Sequence, residues 1–205
     1  MQRIKAWPRW AWLVILALLL VLAVGAIRIV NPPHTWTGML MDPLAPVNDF
    51  SLTAAGVKPV RLSDFRGKLV ALYFGYTYCP DVCPTTLAEL AAGMRDLGAD
   101  AQQVQVIFIS VDPARDTPER LADYVANFDP SFIGITGSPE EIAAVATPLG
   151  IYYQAHEGTA ATGYLVDHTA TVMVLDRQGR LRLLLPFGTT GAQAASDLRA
   201  LLRMP

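Results

Sequence analysis

The stretch that decides the fold is KLVALYFGYTYCPDVCP, residues 68–84. Its first part, residues 68–74, is a continuous apolar run of strand length, which is typical of a strand buried on both faces of a sheet. The remainder is rich in Gly, Tyr, Cys and Pro, a composition that predicts a loop. Pro84 is expected at the first position of a helix, where its missing N–H costs no hydrogen bond. The stretch therefore predicts a buried strand, a loop and the start of a helix.

Strands and helices alternate along the rest of the predicted fold. One apolar helix face follows Pro84 and ends near Gly98. Its residues are Leu87, Leu90, Ala91, Met94 and Leu97. The further predicted elements, in chain order, are a buried strand over 104–110, a helix from 117 to about 128, a third helix opened by a capping box at 138–141, a hairpin with strands 170–175 and 181–185, and a final helix after 189–190. This order predicts an α/β fold with a mixed central sheet, helices on both faces and an antiparallel edge.

The composition of the 205-residue chain excludes several classes of protein. Hydrophobic residues make up 52% and charged residues 17%, which excludes a disordered polyelectrolyte. All four charged residues in 1–30 are basic, out of 16 Lys and Arg in the whole chain, so residues 31–205 keep 12 basic residues against 18 acidic ones. Such an acidic body lacks the clustered Lys and Arg that neutralise phosphates, so no nucleic-acid partner is expected. Two cysteines are too few for a disulfide-stapled scaffold or a four-thiolate zinc site.

The first thirty residues predict a membrane anchor. Residues 10–27 are uncharged and apolar, and the run continues past Arg28 to residue 30, which reaches the roughly 20 residues that a membrane-spanning helix needs. Three basic residues precede the run, a pattern that keeps the N-terminus in the cytoplasm and exports the rest. We therefore expect a cytoplasmic segment over 1–9 and a single transmembrane anchor over 10–30.

The anchor is expected to lead into a linker and one domain. Asn31-Pro32-Pro33 should end the helix, and the Pro-containing segment 31–45 predicts a short linker before a domain over 46–205. A cleaved signal peptide is the alternative, because the small residues at 23–25 have the spacing of a cleavage site. The apolar run is longer than the roughly 7–15 residues of a signal-peptide core, which favours the uncleaved anchor.

The two cysteines, Cys79 and Cys83, lie four residues apart between the predicted strand and helix. On a helical turn, residues i and i+4 share a face about 6 Å apart along the axis, which suits either a disulfide or two ligands of one metal ion. A helix N-terminus would also lower the pKa of both thiols. A purely structural disulfide is the alternative, although so short a loop gains little stability from one. Asp81, between the cysteines, is expected either to orient the site or to serve only the helix start.

A histidine could complete a metal site with the two thiols. His168 is expected just before the strand that starts at residue 170, where it could face the cysteine loop. Two thiolates and an imidazole suit copper, whereas three ligands fall short of the four of a structural zinc site. A lone histidine is more often an ordinary core or surface residue, and His156 is expected to be one. His34, Met39 and Met41 are weaker candidates for contact with a metal ion. Scattered methionines usually only fill apolar space.

Several motifs taken together resemble the SCO/SenC family. The two longest are DFRGK at 64–68 and YFGYTYCPDVCPTT at 73–86. The motifs that follow in order are FISVDP at 108–113, RDTPE at 115–119, GSPE at 137–140 and DHT at 167–169. The matches run over about residues 47–203, and their combination is highly specific to this family.

The resemblance implies a thioredoxin-like fold and a copper site. Carried over by position, the ligands are Cys79, Cys83 and His168, which would hold Cu(I), Cu(II) or both. Members of the family help to deliver copper to the CuA centre of cytochrome c oxidase subunit II, so subunit II is the expected partner, with other copper chaperones as further candidates. The usual N-terminal anchor of the family places such a chain in the bacterial inner membrane with its domain in the periplasm, or in the mitochondrial inner membrane. Unlike thioredoxin-like reductases, this chain has no proline at 167–169.

Two functions are consistent with these residues. The first is a membrane-anchored copper metallochaperone whose thiolates, exposed on a loop, pass copper by ligand exchange, with the redox state of the Cys pair coupled to metal release. The second is a thiol–disulfide oxidoreductase that reduces the cysteines of a partner, although C-x-x-x-C is one residue longer than the usual redox motif. Peroxide removal is a weaker third option, because it needs a catalytic Cys beside a Thr and an Arg, and Thr77 alone does not establish that arrangement.

Overall fold

The computed structural model describes residues 9–30, 34–159 and 163–204. The helices are α1 (Arg9–Val30), α2 (Val82–Leu97), α3 (Pro118–Ala126), α4 (Pro139–Ala146) and α5 (Gly191–Leu202). The strands are β1 (Met39–Pro46), β2 (Ser51–Ala54), β3 (Lys58–Arg61), β4 (Leu69–Gly75), β5 (Val104–Ser110), β6 (Ile133–Ile135), β7 (Tyr153–His156), β8 (Leu165–His168), β9 (Val172–Leu175) and β10 (Arg180–Leu185).

Among the described residues, six strands form the main sheet in the order β1-β10-β9-β4-β5-β6. The strands β4, β5 and β6 run parallel to one another. Antiparallel pairing connects β4 to β9, β9 to β10 and β10 to β1. The pairs β2–β3 and β7–β8 form two separate two-stranded sheets. The predicted α/β fold with a mixed sheet and an antiparallel edge is therefore confirmed.

The centre of the main sheet is covered on both faces. Every residue of β4 and β5 is buried, as their unbroken apolar runs predict. In β10, by contrast, buried and half-buried residues alternate, which is the period of a strand with one well-covered face. Gly75 and Ser110 are paired at the carboxyl ends of β4 and β5, so the loops that follow these strands meet at one edge of the sheet.

Helix α2 packs its apolar face into the core and lies against α5. All five residues predicted on that face are buried, and Gly98 caps the helix with a φ of +60°. A Cβ added at Gly93 would lie 3.0 Å from the carbonyl oxygen of Gly191, so glycine permits the close approach of the two helices. Glu89 accepts a hydrogen bond of 2.6 Å from the N–H of Gly191 at the start of α5. These contacts fix the helix whose first turn carries Cys83.

The chain divides into two units, Met1–Thr35 and Trp36–Pro205. The first contains α1, which has 22 residues. Of the helices among the described residues, none meets the combined length and hydropathy of a membrane span. Apart from its last residue, the predicted cytoplasmic segment over 1–9 lies outside the described residues, as does the predicted helix break at 31–33.

Several elements differ from the sequence prediction, and β6 has no counterpart in it. Much of the segment predicted as a linker is strand β1, which pairs with β10 at the sheet edge, where prolines are tolerated. Helix α2 begins at Val82 rather than at Pro84, and Pro84 fits there because the first four helical N–H groups have no partner within the helix. The β7–β8 hairpin was not predicted, since β7 is short and mostly exposed and shows no apolar period.

Candidate metal centre

Three separate elements bring two sulfur atoms and one ring nitrogen together. Cys79 lies in the loop between β4 and α2, Cys83 in the first turn of α2, and His168 at the end of β8. One ligand atom from each side chain lies within 4.8 Å of the other two. The Sγ atom of Cys83 is 3.2 Å from the Nε2 atom of His168. The structure therefore places all three residues singled out from the sequence at one point.

The two cysteines do not share a helix face, contrary to the prediction from their spacing. Because α2 begins at Val82, only Cys83 is helical, and Cys79 lies on the preceding loop. The loop nevertheless folds back, so that the N–H of Cys83 donates to the Sγ atom of Cys79 over 3.4 Å. The N–H of Cys79 donates in turn to the carbonyl of Tyr76, over 3.2 Å. A tight turn, and not a helical repeat, brings the sulfur atoms together.

Burial distinguishes the two thiols. Cys83 is completely buried and Cys79 is 8% exposed, and both are free cysteines. The expectation that both thiolates are exposed on a loop is therefore wrong, because the turn folds Cys79 inward and α2 carries Cys83 into the core. The half-buried His168 and the partly accessible Cys79 are the groups that an incoming molecule would meet first.

A glycine makes the space that the Cys83 sulfur occupies. A Cβ atom at Gly75, the last residue of β4, would lie 2.5 Å from the Sγ atom of Cys83 and 2.7 Å from the ring of Phe108. Any larger residue would force the sulfur or the ring to move. Gly75 is therefore a structural requirement of the site that the sequence analysis did not identify.

The imidazole of His168 is oriented so that its Nδ1 atom faces a backbone carbonyl and its Nε2 atom faces Cys83. Its Nδ1 atom lies 3.1 Å from the carbonyl oxygen of Val166. Because a carbonyl only accepts, we assign the proton to Nδ1, which leaves the lone pair of Nε2 directed at Cys83. The ring of Tyr76 packs edge-on against the imidazole, with 5.6 Å between centroids, and the Tyr76 hydroxyl accepts from the N–H of Val166. Backbone and aromatic contacts thus orient the nitrogen as metal-binding histidines are usually oriented.

The two thiols differ in acidity. Hydrogen bonding from the Cys83 side chain lowers the pKa of Cys79 to about 5, burial opposes the shift, and the N–H groups of Cys83 and Asp81 support it. Burial raises the pKa of Cys83, and its contact with Cys79 adds to that effect. At neutral pH the pair therefore consists of one thiolate and one thiol that donates to it. A bound cation would replace that proton.

The donor set fits a soft metal ion. Thiolates select Cu(I), and an imidazole also suits Cu(II). These three donors form the group among the described residues that could hold a metal ion. Cys79, Cys83 and His168 could therefore hold a metal ion, and their donor atoms are of the kind that copper prefers.

The remaining candidates from the sequence have other contacts. The Nδ1 atom of His156 lies 3.6 Å from a carboxylate oxygen of Asp167 at the surface. Asp81 directly precedes α2, where its carboxylate accepts from the hydroxyl of Thr85 and caps no helical N–H group. Thr77 donates to the carboxylate of Asp116 and is not free to act on a substrate. Met39 is exposed on β1, whereas Met41 packs against the core.

Arg115 is a residue near the site whose importance the sequence analysis did not identify. Its guanidinium lies over the rings of Tyr78 and Tyr164, with 4.7 Å and 3.5 Å to their centroids. It also pairs with the carboxylate of Asp112. No local pattern predicts the contacts with Tyr78 and Tyr164, because these residues lie on two other loops.

Comparison with known proteins identifies related chains. The family model described as SCO1/SenC matches residues 41–203. The mitochondrial SCO2 homolog of Bos taurus is 42% identical over 133 residues, which are 64% of this chain and 50% of that protein. The chain spans about half the length of the curated relatives that it matches first.

Solved structures show the same fold. The apo Sco1 protein of Thermus thermophilus has 45% sequence identity and a TM-score of 0.75, covering 83% of this chain and 99% of that one. ScoI of Bradyrhizobium japonicum, solved with copper bound, has 41% identity and a TM-score of 0.70, covering 77% and 99%. The thioredoxin-like Sco fold expected from the sequence is therefore confirmed. One of these neighbours holds copper, and the present chain has a Cys-Cys-His site that could bind a metal ion.

Proposed function

Because this chain belongs to the SCO1/SenC family, we propose that it is a copper metallochaperone that helps to assemble the CuA centre of cytochrome c oxidase. The observation that carries the proposal is the position of Cys79, Cys83 and His168, whose ligand atoms lie within 4.8 Å of one another. The copper-bound ScoI structure supports copper as the metal. Copper is the cargo of this protein, and subunit II of the oxidase is its acceptor.

The site suits transfer by ligand exchange. Three protein donors leave room for a fourth, so a thiolate of the acceptor binds the copper before the three donors release it. Cys79 and His168 lie on the accessible side, whereas Cys83 is buried behind them. Copper therefore passes from chain to chain without becoming a free ion.

The proposal includes a location. The uncharged apolar run over 10–27, with basic residues before it, supports a single membrane anchor over 10–30 and a cytoplasmic segment over 1–9. The copper-binding domain then lies in the periplasm of a bacterial inner membrane, or in the corresponding mitochondrial compartment. There it can meet the CuA domain of subunit II and any copper chaperone that supplies the metal.

A transfer experiment tests the proposal. The full chain is loaded with Cu(I) and mixed under anaerobic conditions with the metal-free, reduced CuA domain of subunit II. Ferricyanide is then added as a one-electron oxidant, because only the mixed-valence centre absorbs in the visible range, and the absorption bands of the assembled centre are measured. The expected result is that these bands appear in proportion to the copper-loaded chain, and that a Cys83→Ser variant produces none. Absence of the bands, with copper still bound to the chain, would overturn the proposed acceptor.

A thiol–disulfide oxidoreductase is the second candidate, favoured by the lowered pKa of Cys79 beside a buried thiol. The Cys79 thiolate would attack one sulfur of a partner disulfide and release the other as a thiolate, which takes the proton of Cys83. The Cys83 thiolate would then attack the Cys79 sulfur, release the first partner sulfur and close the Cys79–Cys83 disulfide. Two electrons thus pass to the partner.

His168 separates the two functions. A reductase needs only the two sulfur atoms, so a His168→Ala variant should still reduce an oxidised CuA domain, as measured by counting its free thiols. A metallochaperone should lose copper affinity in the same variant. Retention of both properties would exclude His168 from either role.

A further inference from the structure

The hairpin that carries His168 lies outside the main sheet. Strands β7 and β8 pair only with each other among the described residues, with Tyr153 opposite His168. The position of the imidazole is therefore set by the short connection from β8 to β9 and by side-chain contacts between this hairpin and the rest of the domain, because β8 itself does not pair with the main sheet.

Arg115 makes several of these contacts. It lies in the loop between β5 and α3, and its Nη1 atom donates to the carbonyl of Tyr164 over 2.9 Å, directly before β8. Its guanidinium also stacks on the Tyr164 ring at 3.5 Å from the centroid. The guanidinium is planar, so its hydrogen bond to the Tyr164 carbonyl and its stacking on the Tyr164 ring act together. They constrain both the distance of the start of β8 from Arg115 and its tilt.

Asp112 completes the arrangement from the same loop. Its carboxylate accepts from the Nε atom of Arg115 and from the hydroxyl of Tyr164. Asp112 is 4% exposed, so these charge-assisted bonds are shielded from water. The three side chains form a closed set in which each contacts the other two.

The same guanidinium reaches the cysteine loop. It lies 4.7 Å from the ring centroid of Tyr78, the residue before Cys79, and 5.6 Å from that of Tyr76. Tyr76 in turn contacts the imidazole of His168 and accepts from the N–H of Val166. Arg115 therefore stands between the segment that carries the first sulfur and the hairpin that carries the nitrogen.

We propose that Arg115, with Asp112 and Tyr164, is a positioning device that holds His168 over the two cysteines and so sets how strongly the chain retains copper. Arg115 does not touch the metal and acts only through His168. When the guanidinium of Arg115 is removed, the hydrogen bonds between β7 and β8 remain. The distance between this hairpin and the cysteine loop is then no longer fixed. The two sulfur donors are unchanged, and the nitrogen donor leaves its position. The part of this inference that concerns copper rests on the proposed function.

The first test needs no metal. In the full chain without copper, an Arg115→Gln variant is expected to exchange the N–H of Val166 faster and to lose the nuclear Overhauser contact between the rings of Tyr76 and His168. Arg120→Gln is the matched control, because Arg120 also stacks on Tyr78, at 4.4 Å, while its Nε atom donates to the hydroxyl of Thr77 in the cysteine loop and not to the hairpin. Unchanged exchange at Val166 together with an unchanged ring contact in Arg115→Gln would overturn the proposal.

The second test is a double-mutant cycle on copper affinity, measured by anaerobic competition with a chromophoric Cu(I) chelator. Arg115→Gln should weaken binding measurably, but by no more than the roughly 10- to 100-fold that loss of a direct outer partner of a metal ligand costs, because Arg115 reaches His168 only through Tyr164 and Tyr76. In a His168→Ala background the same substitution should have no further effect, because its target is gone. Additive losses in the double variant would show that Arg115 acts independently of His168 and would overturn the proposal.

A milder variant keeps both tests informative if Arg115→Gln does not fold. Tyr164→Phe retains the ring beneath Arg115 and removes only the hydroxyl that donates to Asp112, so a smaller change of the same sign is expected in both measurements. No change in either measurement would contradict the role of this contact. If the parent chain itself fails to bind copper, the proposed function fails, while the metal-free measurements still decide whether Arg115 positions the hairpin.

Discussion

The Nε2 atom of His168 lies 3.2 Å from the Sγ atom of Cys83, although 85 positions separate these residues in the chain. One belongs to a helix that packs in the core and the other to a hairpin outside the main sheet. The site is therefore assembled by tertiary contacts, and it is sensitive to residues that never touch a metal.

Cys79 should react as a thiolate at mildly acidic pH. Its pKa of about 5 lies well below the value of about 8.5 for a free thiol, so the thiolate predominates above about pH 6 and is lost as the pH falls through 5. Alkylation of the metal-free chain by iodoacetamide, followed by mass spectrometry, should give one modified cysteine at a rate that is flat from about pH 6 to 8.

Cys83 provides the internal comparison for this measurement. Burial raises its pKa and excludes the reagent, so Cys83 should remain unmodified until the chain is unfolded. A Cys79→Ser variant should therefore show no alkylation in the folded state. A rate for Cys79 that rises steadily up to about pH 9 would contradict the lowered pKa.

Gly75→Ala should weaken both copper binding and the stability of the fold. The added Cβ would lie 2.5 Å from the Sγ atom of Cys83, and such overpacking typically costs about 1–3 kcal/mol. We expect a matching loss in the free energy of unfolding and weaker binding of copper, measured by denaturant titration and by chelator competition.

Gly98→Ala is the control for the glycine variant. Gly98 has a φ of +60° and no atom near its missing Cβ, so alanine there costs backbone strain without approaching the site. It should lower stability while leaving copper affinity unchanged. Equal copper affinity in the two variants would contradict the packing role of Gly75.

Asp116 should be essential for the stability of the cysteine loop. It is fully buried, and its carboxylate accepts from the N–H of Thr77 at 2.9 Å and from the hydroxyl of Ser110 at 2.6 Å. Hydrogen bonds to charged groups contribute about 1.5–3 kcal/mol each, so Asp116→Ala should cost at least about 3 kcal/mol in denaturant unfolding. Asp123→Ala, at an exposed position of α3, should change stability by less than about 0.5 kcal/mol. Similar values for the two variants would show that the buried network does not stabilise the loop.

The parts of the fold that depend on local pattern could be predicted from the sequence. Strands β4 and β5 are unbroken apolar runs, and the apolar residues of α2 recur at helical spacing. The buried residues of these elements could therefore be predicted from the local sequence alone. Strand β1 contains prolines that only a sheet edge tolerates, and its pairing with β10 joins residues far apart in the chain. No local rule predicts such a partner.

The site, like the fold, could be predicted from the sequence only in part. The cysteine pair and the histidine could be singled out by their chemistry, but their meeting depends on a turn before α2 and on a hairpin that shows no apolar period. The supporting residues, such as Gly75 and Arg115, could not be identified in this way. Their roles come from a 2.5 Å approach and from stacking between separate loops, which sequence spacing does not encode.

The most direct test of the proposed site is an anaerobic copper titration of the full, reduced chain beside two histidine variants. The parent should bind one copper per chain, and His168→Ala should weaken binding by more than about tenfold, because a ligand is worth at least as much as an outer partner. His156→Ala, which removes a surface histidine near Asp167, should bind as the parent does. Equal affinity of the parent and His168→Ala would contradict the assignment of His168 as the third ligand.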